Sequence, residues 1–289
     1  VGIGVVDDKG NLVEKIETDI SSETTQNLKQ YIEKYMQEKV KQYLKKYPSI
    51  EVIGVASPGT PQGGTVTALW NLGIEELKVE ESLKKVCSLP IIVRNDAKAA
   101  AIAEKKFGSL KPYQDAIFLC PGTGIGGATF IDGKLLTPKR YPGMEIGHMI
   151  IQKDGKQCAC GKKGCFETYA SMKQFKKRVI EVLDFPKEIE AKKLLAILRE
   201  HQQEEKLQEV ILEYLEYLII GLSNVIDIFE PEAICFGGSF VYFKDILFDR
   251  LVTIFEERRY VFNKETLPVL TLATLGNDAG MIGAGERDF

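Results

Sequence analysis

An α/β fold is what this sequence predicts, on three observations. Short runs of branched apolar residues, such as EVIGVA at 51–56 and the strand ending at Val93, alternate with longer segments whose apolar residues recur at helical spacing. Two of those runs deliver small or polar residues at their carboxyl ends, Ser57-Pro58-Gly59 and Arg94-Asn95-Asp96, where open α/β sheets bind ligands. Finally, 289 residues with 44% hydrophobic side chains suffice for two lobes with substantial cores, or for one large α/β domain.

Taken in order, Val1–Val6, the turn Asp7-Asp8-Lys9-Gly10 and Asn11–Ile16 read as two strands joined tightly, the chain beginning in the middle of a strand. A helix is expected from Ser22 to Lys46, with Leu28, Tyr31, Ile32, Tyr35, Tyr43 and Leu44 at helical spacing and Ser21 or Ser22 as its cap. After the strand at 51–56, residues 63–72 form a glycine-bearing loop without an assignable pattern. Val79–Cys87 reads as a helix and Pro90–Val93 as a strand. The run AKAAAIAEKKFG reads as an alanine-rich helix that Gly108 closes. Asp96 stands at the junction, either capping this helix or facing a ligand beside its positive N-terminus.

Ala116–Cys120 and Ala128–Ile131 are expected strands around Pro121-Gly122-Thr123-Gly124-Ile125-Gly126-Gly127. The glycines match G-x-G-x-x-G, yet a dinucleotide site of that type needs a helix next. Here a second strand follows, then the Asp132-Gly133 turn, so the loop is a hairpin tip. It is either a plain tight turn or a phosphate cradle made of its N–H groups and the Thr123 hydroxyl. From Ser171 to about Phe229 the chain is helical, divided in three by Pro186 and the polar run at 201–205, in which His201 reads as solvated. The third helix carries a broad apolar face from Leu207 to Ile226. Glu232–Phe236 is a strand leading into Gly237-Gly238-Ser239; Phe240–Tyr260 is helical, Val269–Ala273 is the last strand, and a small-residue helix starts near Asn277.

Chemistry concentrates at 143–167, GMEIGHMIIQKDGKQCACGKKGCFE. His148, Cys158, Cys160 and Cys165 make an H-x9-C-x-C-x4-C pattern, and Cys3His is one of the usual closed sets for structural zinc. Gly161 and Gly164 suit a chain folded tightly about an ion. The other reading is a disulfide with a spare thiol, but with no signal-peptide pattern at Val1 the thiols are expected to be reduced and free to bind metal. Glu145 and Glu167, three residues before His148 and two after Cys165, are either acceptors ordered by that metal for a polyhydroxylated ligand or solvated loop charges. Cys87, Cys120 and Cys235 read as buried free thiols.

Composition excludes some classes. A net charge of −3 from 38 basic and 41 acidic residues, with no arginine-rich run, argues against nucleic acid as the main partner. No apolar run approaches the ~20 residues of a membrane span, and no secretory apolar region opens the chain. The expectation is a cytoplasmic protein.

With NDAKAAAIAE, PGTGIGGATFIDG, GMEIGH, CACGKKGCFE, ICFGGSF and LGNDAGMIGA in order, nearly the whole chain resembles the ROK family of bacterial sugar kinases and sugar-sensing repressors. The resemblance implies an actin-like, ribonuclease-H-like fold of two α/β lobes with a zinc-binding loop, and sugar and ATP between the lobes. It places a small lobe at 1–115 joined by 277–289, and a large lobe at 116–276. It implies transfer of the γ-phosphoryl group from MgATP to the 6-hydroxyl of a hexose, with Asp96 as catalytic base. Asn95, Asp96, Glu145, His148 and Glu167 would hold the sugar. Gly122, Thr123, Gly124, Gly126 and Gly127 would meet the ATP phosphates, with Gly237 and Gly238 beside the adenosine. His148, Cys158, Cys160 and Cys165 would hold Zn²⁺. The partners implied are sugar, ATP and a second copy in a homodimer.

Two departures stand out. Lys98 occupies a position where the family usually has asparagine. The family's first phosphate motif, D-x-G-G-T, is absent, and VGIGVVDDKGNLV matches the segment next to that motif on its C-terminal side, so the polypeptide is expected to extend beyond Val1 by about one strand and a phosphate loop. Glucose is the preferred substrate, with fructose, N-acetylmannosamine and β-glucosides as alternatives. The other class is a sugar-sensing regulator lacking its DNA-binding module.

Overall fold

The computed structural model describes residues 1–19, 27–69, 72–138, 144–185 and 191–289. The chain forms two compact units, one of Val1–Lys111, Pro138–Pro142 and Thr274–Phe289, the other of Pro112–Thr137 and Gly143–Ala273.

In the first unit, β1 (Gly2–Val6) and β2 (Leu12–Glu17) pair antiparallel. The Asp7 carboxylate sets their turn by accepting from the N–H groups of Lys9 (2.9 Å) and Asn11 (2.8 Å). Helix α1 (Leu28–Lys46) buries Leu28, Ile32, Met36 and Tyr43 along one stripe. Its expected start at Ser22 and the caps Ser21 and Ser22 lie outside the described residues.

After β3 (Ile53–Ser57), the stretch without a sequence pattern is an antiparallel meander of β4 (Thr60–Gln62), β5 (Thr65–Leu69) and β6 (Ile74–Leu77). These strands have three to five residues, too few to establish a period, and Gly63-Gly64 turns between two of them at φ +54° and +77°. Their inward Val66, Leu69, Ile74 and Leu77 close a core with α1 and with Val79 and Leu83 of α2 (Val79–Lys84), which ends three residues before the expected Cys87. Strand β7 (Ile91–Asn95) runs parallel to β3, in register from Ile53↔Ile91 to Ser57↔Asn95, and passes directly into α3 (Asp96–Lys106).

The second unit holds a five-stranded mixed sheet in the order β10-β9-β8-β11-β12. Strands β8 (Ala116–Pro121), β9 (Ile125–Ile131) and β10 (Lys134–Leu135) are antiparallel neighbours. The glycine hairpin is tighter than the sequence indicates, because pairing extends to Pro121↔Ile125 and places Gly126 and Gly127 inside β9. A short helix that the sequence pattern does not announce, α4 (Glu167–Ala170), precedes the three expected ones, α5 (Met172–Val182), α6 (Ala191–Glu200) and α7 (Glu205–Phe229). The expected break at Pro186 lies outside the described residues. His201 is less solvated than expected, with Nδ1 2.5 Å from Glu204 Oε1 and its ring edge-on to Phe185.

Strand β11 (Ala233–Phe236) is parallel to both β8 and β12 (Val269–Leu272). The helical stretch expected at 240–260 resolves into a 3-10 segment (Gly238–Phe243), one π turn (Lys244–Phe248) and α8 (Asp249–Arg258). Leu215, Leu218 and Leu222 of α7 join Ile117, Leu119, Phe236 and Phe255 in the core of this unit. No helix among the described residues is long and apolar enough to cross a membrane.

The chain returns to the first unit with α9 (Ala279–Ala284), which lies backbone to backbone against α3. A Cβ at Gly283 would sit 1.9 Å from the Ala99 carbonyl oxygen and 2.8 Å from Ala103 N. Gly283→Ala must therefore push α9 away from α3. Overpacking of this kind costs about 1–3 kcal/mol. Thermal denaturation should show a Tm several degrees lower, while an unchanged Tm would mean that this packing is not tight in solution.

Candidate active site

In each unit, side chains with chemistry gather at the carboxyl ends of two adjacent parallel strands, the ligand-binding edge of open α/β sheets. In the first unit these are β3 and β7, delivering Ser57-Pro58-Gly59 and Asn95-Asp96. The Asn95 amide nitrogen donates to the Gly59 carbonyl at 3.3 Å and ties the two ends together. Asn95 also caps α3, its Oδ1 accepting from Ala97 N (3.1 Å) and Lys98 N (3.3 Å). Asp96 Oδ1 accepts from Ala97 N at 2.8 Å. Because Asn95 supplies the cap, Asp96 is not needed for it.

In the second unit the two ends are those of β8 and β11, which lead into Gly122-Thr123-Gly124 and Gly237-Gly238. A Cβ at Gly237 would meet Phe118 Cζ at 2.3 Å, and one at Gly238, where φ is +64°, would meet Cys120 Sγ at 2.7 Å. The second glycine segment thus lies on the strand that feeds the first. Gly122 has open space where a Cβ would stand, and Thr123 is exposed at the tip. Gly127 has a different reason for being glycine: its Cβ would lie 2.5 Å from the Phe118 carbonyl oxygen, so it permits the pairing of β8 with β9.

The metal pattern converges. The ligand atoms of His148, Cys158, Cys160 and Cys165 all lie within 4.8 Å of one another. Cys160 Sγ is 3.6 Å from Cys165 Sγ, and Cys158 Sγ is 3.6 Å from His148 Nδ1. Tetrahedral bonds of ~2.0–2.3 Å to nitrogen and sulfur place ligands roughly 3.3–3.8 Å apart, so this donor set fits zinc. The separation is far beyond the ~2.05 Å of a disulfide, and none of the cysteines forms one. Gly161 and Gly164 take φ of +89° and +80°, and a Cβ at Gly164 would lie 1.7 Å from the Gln152 carbonyl oxygen. Lys162 donates to the His148 carbonyl at 2.7 Å, and the Tyr169 hydroxyl accepts from Lys156 N at 2.7 Å. Burial pushes the Cys158 thiol up to about 12, whereas the Lys162 N–H holds Cys160 below its ordinary value. A metal ion would have to displace the Cys158 proton on binding.

Glu167 joins this cluster to the glycine hairpin. Cys158 Sγ donates to Glu167 Oε1 at 3.1 Å, and His148 Nδ1 is 3.6 Å from the same oxygen. Its other oxygen, Oε2, stands 2.4 Å from where a Cβ on Gly124 would be. The carboxylate is only 21% exposed, so it is not a solvated loop charge. Glu145 is exposed and touches the cluster through its backbone, its carbonyl accepting from His148 N at 3.0 Å. The approach of Glu167 to Gly124 is invisible to sequence reasoning, since nothing in a separation of 43 residues announces it.

Comparison with known proteins shows the family. A ROK family profile matches residues 1–286. A glucokinase of Streptomyces coelicolor is 31% identical over 251 residues, 81% of this chain and 78% of that protein. A xylose repressor of Caldicellulosiruptor bescii is 28% identical over 222 residues, 72% of this chain, and the match spans only 55% of the repressor's length. Among solved structures, a ROK family glucokinase from Streptomyces griseus in complex with glucose and AMPPNP superposes with a TM-score of 0.76 at 25% identity, covering 98% of this chain and 93% of that one. With an actin-like, ribonuclease-H-like α/β fold, a Cys3His cluster of zinc-like spacing and a family match over almost its full length, the chain belongs to the ROK family.

Proposed function

We propose that this protein is an ATP-dependent sugar kinase that phosphorylates the 6-hydroxyl of a hexose, with glucose the first candidate. The observation that carries this reading is Glu167, a carboxylate held between a four-ligand cluster and a glycine hairpin with open space at its tip. One group is thereby fixed beside both a sugar-type acceptor site and a phosphate-type cradle. The likeness to glucokinases supports it further.

In this scheme Asp96 is the general base. As the 6-hydroxyl oxygen attacks the γ-phosphorus, its proton passes to an Asp96 oxygen, a bond from oxygen to phosphorus forms, and the bond to the β–γ bridging oxygen breaks to release ADP. Asn95, Glu145, His148 and Glu167 hold other sugar hydroxyls, so the attacking oxygen is positioned as well as deprotonated. The N–H groups of Gly122–Gly124 and the Thr123 hydroxyl receive the phosphates, with Gly126 and Gly127 shaping the hairpin behind them and Gly237-Gly238 beside the adenosine. Mg²⁺, arriving with the nucleotide, supplies charge neutralisation on the phosphates. Zn²⁺ on His148, Cys158, Cys160 and Cys165 has a structural part, fixing the segment that carries Glu145 and Glu167.

Purified protein, MgATP and a hexose panel in a coupled ADP-release assay test the proposal. Turnover with glucose above fructose, N-acetylmannosamine and β-glucosides is the expected result. The likeness to a xylose repressor supports a second reading, a sugar-sensing regulator. Sugar binding by calorimetry with no ADP release on any hexose would favour that reading over the kinase.

A further inference from the structure

A fully buried carboxylate that the phosphoryl transfer does not use lies near the C-terminal end of α3. Glu104 Oε1 accepts from the N–H groups of Thr274 and Leu275, each at 2.8 Å. Oε2 accepts from Ser109 N at 2.9 Å and from the Ser109 and Thr274 hydroxyls, each at 3.1 Å. Five donors on one carboxylate use all of its roughly four lone-pair sites. The space for it is made by Gly108, where a Cβ would lie 2.0 Å from Oε2.

The two segments that Glu104 grips are not arbitrary. The chain leaves the first unit after Lys111 and re-enters it at Thr274, so Ser109 and Thr274-Leu275 flank two of its passages between units. The helix that bears Glu104 begins at Asp96, and Thr274-Leu275 leads into α9, which lies against that helix. We propose that Glu104 is a positioning residue that clasps both passages to α3, so that the two connections and the helix carrying Asp96 behave as one rigid piece. This rests on the reading of Asp96 as the base. Any displacement of α3 relative to the connections would then misplace the basic oxygen, and a misplacement near 1 Å can cost roughly 10²-fold in rate.

Two variants reach the clasp by different routes. Glu104→Gln turns an amide N–H₂ toward backbone N–H groups, of Ser109 at one oxygen or of Thr274 and Leu275 at the other, that can only donate, and Gly108→Ala evicts the carboxylate without altering its charge or, given the backbone angle there, straining the chain. Both should lower kcat roughly 10–100-fold, measured well below their Tm, with KM for ATP and sugar changed little. In hydrogen exchange the amides of Ser109, Thr274 and Leu275 should lose protection together, while those of β8 and β9 keep it. A lower Tm with unchanged kcat would overturn the proposal and leave Glu104 a purely structural acid; exchange that rises at 109 but not at 274–275 would overturn the single clasp. The wild-type control separates this from the kinase reading. If it turns over no hexose, the kinase reading fails by itself, and the exchange data alone decide whether the two connections are coupled.

Discussion

Asp96→Asn is expected to lower kcat by about 10²–10⁴-fold, the usual contribution of a general base, and to leave sugar affinity nearly unchanged. The substitution keeps the size of the side chain and an oxygen that can accept from Ala97 N, as Asp96 Oδ1 does at 2.8 Å. Helix α3 keeps its start as well, because Asn95 Oδ1 accepts from both Ala97 and Lys98. The loss is confined to the basic oxygen. Near wild-type turnover in the mutant would reduce Asp96 to part of the helix start, and complete loss of sugar binding would make it a positioning group instead. Measuring kcat and a sugar dissociation constant on the same preparation separates the three outcomes.

Removing the metal should have the other large effect. Protein purified without chelator is expected to contain one zinc per chain, and Cys160→Ser should lose it. Cys160 is exposed, so the change sacrifices little packing and tests ligation itself. Cys158 and Cys165 are buried, and without a cation they would remain as thiols in an apolar setting, Cys158 donating to Glu167. Besides scattered hydrogen bonds, the segment from His148 to Glu167 has only isolated bridges among the described residues, Ile150↔Cys165 and Gln157↔Lys163, and no continuous strand pair. Zinc loss should therefore lower Tm and weaken sugar binding together, because the segment that carries His148 and Glu167 loses the cross-link among its four ligands. Metal analysis and thermal denaturation read this without an activity assay. A zinc-free preparation with full sugar affinity would refute a role for the metal in ordering the acids.

Local chemistry made part of this protein legible in its sequence. Four ligands in 18 residues, with Gly161 and Gly164 between the cysteines, announce a metal loop, since chain proximity alone brings them within reach. Long periodic segments such as α7, and strand ends followed by Gly or Asn-Asp, are likewise set by neighbours a few residues away. The family resemblance added roles that no local pattern supplies, including that of Asp96.

The tertiary structure decided what depends on distant partners. The meander at 60–77 has strands too short to show a period, and it exists because Val66, Leu69, Ile74 and Leu77 find a core with α1 and α2. Gly126 and Gly127 read as loop residues until pairing with Cys120 and Leu119 drew them into β9. Glu167 could be a solvated charge in the sequence, but it is fixed by Cys158 and given room by Gly124, 43 positions earlier. Nothing in the run AKAAAIAEKKFG sets Glu104 apart. Its burial becomes tolerable only when Thr274 and Leu275, 170 residues away in the chain, turn their N–H groups toward it. A carboxylate's environment is the sum of its donors, and donors that far away are assembled only by the complete fold.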